Sequence, residues 1–512
     1  VKTRQQNLVS YAALLLLGSL AFIHLMALPP FQDEGSQLRW VWRLINAGDW
    51  RPSLSEGKPL EAWLVAPLAL AGFAPLAAAR TLHVLAGMAG TGLIYQLALQ
   101  FGDRTRAFLS ALLFTICPFV VYLQRLALSD IFLCTAGIWV LLSIARLLKS
   151  PTWSHSLVTA IALLLAALCK LPVGFVFLTS MPLALLFMPS SERQVLLRRP
   201  ELTKLLAAFV PVLLLLLIVA FTAMIQLRRG HAPGFGVADL MGIGMGRYVE
   251  LARVLGVQRS SLLAELTTQM SWPVVIIGLI GIVGGALSGD WHDRWLIAAG
   301  LLPMLAVAWL ADFWFPRYLL FTLPPLIVAA VAGWQFLSTR ARSLARTVEL
   351  VALTACMVFM GHQSALIILN PIAASWSPVD RTQYIEGGGS GYGYPQAAKY
   401  LLQANDVPQV IYSLDGHSAF QLLTYLPAAW NSRVKTISYA QDGQELRSQE
   451  ARFENLLEHA PAWIVVPDPV LTSYLESSFG MMRLNRITLR PVVRFDKPGG
   501  HEQLAIYEVT RR

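Results

Sequence analysis

Charge is what this sequence lacks. Only 14% of its 512 residues are Asp, Glu, Lys or Arg, where an ordinary soluble domain carries about 25%. A cytosolic globular protein is excluded, because 55% of the chain is hydrophobic and the mean hydropathy is +0.55. Cysteine is scarce as well: Cys117, Cys134, Cys169 and Cys356 all sit in apolar stretches and form no C-x-x-C pair. That excludes a disulfide framework and a thiolate metal site, and leaves small core residues. Acids are outnumbered, 30 against 40 Lys and Arg, but the basic residues fall in short clusters between apolar runs. Loops facing anionic lipid have that pattern, and nucleic-acid binding is not expected. No internal repeat of 20 to 50 residues and no low-complexity tract is present.

What is abundant is apolar sequence in lengths that cross about 30 Å of hydrocarbon. A first run, Leu8 to Leu28, follows Lys2 and Arg4 and lacks a small-residue cleavage site, so it reads as an uncleaved helix. Further runs lie near 79–100, 107–123, 131–148, 156–169, 173–188, 205–226, 272–287, 295–311, 318–336 and 347–369. The expectation is a mainly α, polytopic membrane protein of about eleven transmembrane helices. Leu60 to Leu76, interrupted by Pro67, Gly72 and Pro75, reads as interfacial or re-entrant. The positive-inside rule favours a cytoplasmic N-terminus, which places 29–59, 124–130, 227–271, 312–317 and the C-terminal segment outside.

From about Pro371 apolar runs shorten and Gly, Pro, Asn and Asp become frequent. Residues 1–370 are therefore expected to form a membrane domain, and 371–512 a water-soluble extracytoplasmic α/β domain. Strand patterns appear at Gln409–Ser413, Ala462–Val466, Val492–Phe495 and Gln503–Glu508, with amphipathic helices near Pro395–Gln403 and Glu445–His459. The run Glu386-Gly387-Gly388-Gly389-Ser390-Gly391-Tyr392-Gly393-Tyr394 has no convincing strand before it, so it reads as a flexible surface loop or an acceptor-contacting lip rather than a dinucleotide cradle.

Chemistry-bearing residues gather in the outer segments. Asp33 and Glu34 follow the first helix, where a carboxylate beside the bilayer is partly desolvated and suited to take a proton; a solvated acidic pair is the plain alternative. Asp130 ends the tight loop Gln124-Arg125-Leu126-Ala127-Leu128-Ser129-Asp130, as a second carboxylate at that level or as a helix N-cap. Lys170 and Arg317 stand at outer helix ends, within reach of a lipid phosphate or snorkelling to headgroups. If these converge they supply a base for an acceptor hydroxyl and positive charge for a phosphate leaving group. The scattered histidines share no ligand spacing.

In order along the chain stand Asp33-Glu34, Gly48-Asp49-Trp50, Lys58-Pro59, Arg80-Thr81-Leu82, Arg125-Leu126-Ala127-Leu128-Ser129-Asp130, Lys170-Leu171-Pro172-Val173-Gly174 and Arg317-Tyr318-Leu319-Leu320 before Pro324-Pro325. This order resembles the GT-C superfamily of polyprenyl-phosphate-sugar transferases, in the branch of protein O-mannosyltransferases and lipid A aminoarabinose transferases. The resemblance covers residues 8 to 340. It implies a multi-spanning GT-C fold and a glycosyltransferase that moves a hexosyl or pentosyl group from a polyprenyl-phosphate donor. The acceptor would be a protein, lipid or polysaccharide hydroxyl at the outer face of a bacterial cytoplasmic membrane. It also implies Asp33, with Glu34 and Asp130, as the catalytic acids, and Lys58, Arg125, Lys170, Arg317 and Tyr318 as donor-phosphate ligands. No cofactor is implied, and no divalent metal is assigned to Asp33 and Asp130. This chain departs from the family's Lys-Pro-Pro-Leu motif, with Leu60 in place of the second proline and Glu61 after it. The rival readings are a non-catalytic membrane scaffold and a lipid-linked sugar transporter; the latter should show two related halves, which are absent.

Overall fold

The computed structural model describes residues 2–50, 53, 57–228, 272–310, 315–340, 343–404, 406–413, 416–436, 454–456, 458–468 and 486–512. Most of the outer loop expected at 227–271, and the larger part of the helix expected at Glu445–His459, lie outside these residues. The chain forms two compact units: Val1–Leu25 with Leu44–Ser377, and Met26–Arg43 with Pro378–Arg512.

The first unit is helical. Among the described residues, four segments are long and apolar enough to cross a membrane, Pro75–Phe101, Asp130–Lys149, Pro316–Arg340 and Leu350–Leu369, and the bent pair Pro200–Ala207 with Val210–Thr222 makes a fifth. Shorter apolar helices stand at Val9–Phe22, Pro59–Leu70, Trp153–Cys169, Phe175–Phe187 and Pro273–Leu287. This is an integral membrane protein. Several expected spans are shorter or broken because proline interrupts them. The run 107–123 becomes Arg104–Thr115 and Pro118–Leu123, with Pro118 restarting the helix at its first position. The run 173–188 divides into a 3₁₀ turn, Phe175–Thr179, and the helix Ser180–Phe187, which contains Pro182. Asp130–Lys149 is largely enclosed, packing on Pro75–Phe101, on Trp153–Cys169 and on the 3₁₀ turn Pro316–Thr322.

The second unit is a small α/β fold. Its sheet has the order β2-β1-β3-β5-β4, with β1 Ile411–Ser413, β2 Val434–Thr436, β3 Ala462–Pro467, β4 Ile487–Asp496 and β5 Gln503–Arg511. The first three are parallel, and β5 runs antiparallel to β3 and β4. Along β3 the side chains alternate between two cores. Ile464 and Val466 join Tyr412, Leu456 and Val509 on one face, while Trp463 and Val465 join Tyr394, Leu401, Leu422 and Ile506 on the other. Burial on both faces explains why β3 reads as a continuous apolar run. The segment Met26–Arg43, which holds most of the helix Gln32–Ala47, belongs to this unit, and the helix buries Gly35, Gln37, Leu38, Trp40 and Val41.

Candidate functional site

In the membrane unit, the start of a long helix, two turns and one 3₁₀ segment bring charge together. Asp130 is the first residue of Asp130–Lys149. Lys170 sits in extended backbone between Trp153–Cys169 and Leu171–Gly174, where Pro172 forbids a continuous helix. Its Nζ donates to Asp130 Oδ1 at 3.0 Å, with both side chains largely buried. The same Nζ lies 4.2 Å from the centre of the Tyr318 ring. Arg317, buried beside Tyr318, stands 4.9 Å from the Phe315 ring and 5.7 Å from the Tyr318 ring. Lys58 precedes Pro59, the first residue of Pro59–Leu70, and the Leu171 N–H donates to the Gly57 carbonyl at 2.7 Å. That bond ties the Lys58 turn to the Lys170 turn. Lys58 and Arg317 both lie within electrostatic range of Asp130. Three cations and one phenol thus lie around one carboxylate, a group of net positive charge suited to a phosphate.

Arg125 has a different task. It is fully buried, and its Nη1 donates to the carbonyls of Ala21 and Ile23 and its Nη2 to that of His24, each at 2.7 Å. Arg80 donates alongside to the Leu25 carbonyl at 3.1 Å. Burial and the neighbouring Arg80 charge push the Arg125 guanidinium down to about 10. Arg125 therefore clamps the end of the first helix through backbone carbonyls, a structural task set beside the phosphate-ligand role expected for it.

Asp33 and Glu34 belong to the second unit, in the first turn of Gln32–Ala47. Glu34 is fully buried, and its Oε2 accepts the Phe31 N–H at 2.8 Å. It caps a helix start whose N–H groups lack intrahelical partners, which is structural work. Asp33 is half-buried.

Glu61, where the lysine motif departs from the family pattern, is buried against His83, with Oε1 3.4 Å from Nε2. His83 Nδ1 faces the Ala79 carbonyl at 2.6 Å and must donate to it. Among the described residues no three His, Cys, Asp or Glu side chains cluster as metal ligands. Sequence reading missed Lys497 and Gln421, buried polar residues of the second unit whose acceptors are all backbone carbonyls.

Residues 56–221 match the family model for dolichyl-phosphate-mannose-protein mannosyltransferase, a segment that contains Lys58, Asp130 and Lys170. No curated protein matches the sequence. Solved structures match in fold. The oligosaccharyltransferase of Archaeoglobus fulgidus, complexed with Zn and sulfate, aligns with TM-score 0.58 and 11% identity over 98% of this chain and 73% of its own. ArnT from Cupriavidus metallidurans in the apo state aligns with TM-score 0.56 and 14% identity over 99% and 98%. Its structure bound to undecaprenyl phosphate gives TM-score 0.53 and 14% identity over 98% of each chain. The resemblance seen in the ordered motifs is therefore borne out in the fold: this chain shares the GT-C fold of these glycosyltransferase structures, and its residues 56–221 match the protein-mannosyltransferase family model.

Proposed function

We propose that this protein is a membrane glycosyltransferase that moves a sugar from a polyprenyl-phosphate donor to an acceptor hydroxyl at the outer face of a bacterial cytoplasmic membrane. The observation that carries it is the gathering of Lys58, Lys170, Arg317 and Tyr318 around Asp130. Such a set neutralises a dianionic phosphate as it leaves, so no general acid is needed at that oxygen. Asp130 keeps the Lys170 ammonium aimed into the group. Asp33 takes the proton of the acceptor hydroxyl, which attacks the anomeric carbon opposite the phosphate and inverts it.

In this reading residues 1–370 form the catalytic membrane domain with about eleven spans, and 371–512 an extracytoplasmic domain that shares its compact unit with the Asp33 segment. ArnT binds undecaprenyl phosphate on the same fold, which supports a lipid-linked donor here; a protein, lipid or polysaccharide hydroxyl fits as acceptor. Asp33→Asn is expected to lower turnover by at least about 100-fold while donor binding stays intact, since a general base contributes about 10²–10⁴-fold. Near-native turnover of that variant would remove Asp33 from the mechanism. Mass spectrometry of lipid that co-purifies with the protein should find a polyprenyl phosphate or its glycosylated form; ordinary phospholipid alone would favour a scaffold.

A further inference from the structure

The glycine run that reads in sequence as a flexible loop is packed inside the second unit, with Gly387, Ser390, Gly391 and Gly393 buried. Two buried side chains hold it. Lys497, on the hairpin between β4 and β5 and 2% exposed, points its Nζ at the carbonyls of Gly387 at 2.7 Å, Ser390 at 3.2 Å and Gly388 at 3.4 Å. An ammonium has three donors, and each finds an acceptor here. Burial pushes this amine down to about 8, with the Glu502 charge opposing the shift.

Gln421, on the helix Gly416–Leu423 and 1% exposed, grips from the other side. Its Nε2 donates to the carbonyls of Gly389 at 2.9 Å and Pro30 at 2.8 Å. The Gly389 carbonyl also accepts the Gln32 N–H at 3.1 Å. Gln32 opens the helix whose second residue is Asp33, and its N–H is one of those a helix start leaves without an internal partner. The loop supplies that acceptor. Glycine is required where the loop meets backbone: a Cβ on Gly391 would overlap the Pro30 carbonyl, while one on Gly389 would meet first the movable end of the Gln32 side chain and the Phe31 ring. Phe31 packs its ring 4.5 Å from that of Tyr384, at the head of the same loop.

We propose that Lys497 and Gln421 are positioning residues for Asp33, acting through the Gly387–Gly391 loop: Lys497 fixes the loop, and Gln421 and the Gly389 carbonyl fix the first turn of the helix that carries the acid. The inference rests on the role given to Asp33 above. A general base works only within hydrogen-bond reach of its proton, and a misplacement of about 1 Å costs about 10²-fold. No contact of Lys497 or Gln421 with either substrate is required.

The test uses the full chain in detergent with Lys497→Met and, independently, Gln421→Leu. Hydrogen exchange read by mass spectrometry should speed up at least tenfold in peptides covering 386–391 and also in those covering 30–36. Turnover of an undecaprenyl-phosphate-linked sugar should fall at least tenfold, while affinity for undecaprenyl phosphate stays within twofold of the parent. Unaltered exchange at 30–36 in both variants overturns the clasp, whatever Asp33 does. Loss of turnover matched by an equal loss of undecaprenyl phosphate affinity overturns it too, because a general structural failure would weaken both. Native activity of Asp33→Asn overturns the reading of Asp33 itself, whatever the exchange shows.

Discussion

Arg125 and Lys170 are both cations at the ends of apolar helices, and their local sequences do not tell them apart. What separates them is the partner. Lys170 pairs with Asp130, a side chain that announces itself in the sequence, whereas Arg125 spends its guanidinium on the carbonyls of Ala21, Ile23 and His24. Carbonyls occur at every residue, so nothing in the sequence marks those three. Glu34 and Lys497 were hidden in the same way, one accepting a backbone N–H and the other donating to backbone carbonyls. Site residues were legible where charge meets charge and illegible where charge meets backbone. The two cations should therefore fail differently. Arg125→Met leaves its carbonyls without their donor in a buried place and is expected to destabilise the membrane unit by about 3 kcal/mol, read as a lowered melting temperature in detergent. Lys170→Met leaves Lys58 and Arg317 to offset Asp130, so the melting temperature should fall less. Its undecaprenyl phosphate affinity should drop tenfold or more, by titration of the purified protein; the reverse pattern would exchange their roles.

At the scale of elements, long apolar periodicity located most helices, and the strands at Ile411, Ala462, Ile487 and Gln503 match alternating or continuous apolar runs. The strand Val434–Thr436 was not legible, because three residues carry too little pattern. Span lengths were misread where proline divides a run, as at Pro118. One packing device is plain in retrospect. Gly281 and Gly285, four apart on Trp272–Leu287, face Gly333 and Ala329 of Leu323–Arg340. A Cβ on Gly281 would lie 2.7 Å from the Ala330 carbonyl, one on Gly285 2.8 Å from the Ala329 carbonyl, and one on Gly333 would overlap the Gly281 carbonyl. Within a bilayer, helices associate through such close approach rather than through apolar burial. Gly333→Ala should accordingly force these helices apart and cost about 1–3 kcal/mol. Gly278→Ala, on Trp272–Leu287 with nothing within 4 Å of a new Cβ, should leave the melting temperature unchanged or slightly raised. Equal effects of the two substitutions would mean that the helix pair does not depend on backbone contact.

For the whole molecule, the scarcity of charge gave the membrane class at once, and the ordered motifs gave the GT-C fold. The grouping of Met26–Arg43 with Pro378–Arg512 was not legible, since it joins segments more than three hundred residues apart through surfaces that only folding creates. The positive-inside rule, applied to Lys2, Arg4, Arg104, Arg106, Arg193, Arg198 and Arg199, favours a cytoplasmic N-terminus, the orientation proposed above. In the proposed orientation the second unit, with Asp33, would stand outside, where a lipid-linked donor and a secreted or envelope acceptor would meet. The four native cysteines are all buried, so they give little background to a thiol reagent. Single cysteines can then be placed at exposed positions: Gln403→Cys in the second unit, and Thr105→Cys and Ser191→Cys at helix starts on the side proposed to be cytoplasmic. A membrane-impermeant maleimide added to intact cells should label Gln403→Cys and spare the other two, which should react only after permeabilisation. Labelling of Thr105→Cys and Ser191→Cys in intact cells, with Gln403→Cys protected, would invert the protein and move the proposed acceptor chemistry to the cytoplasmic face.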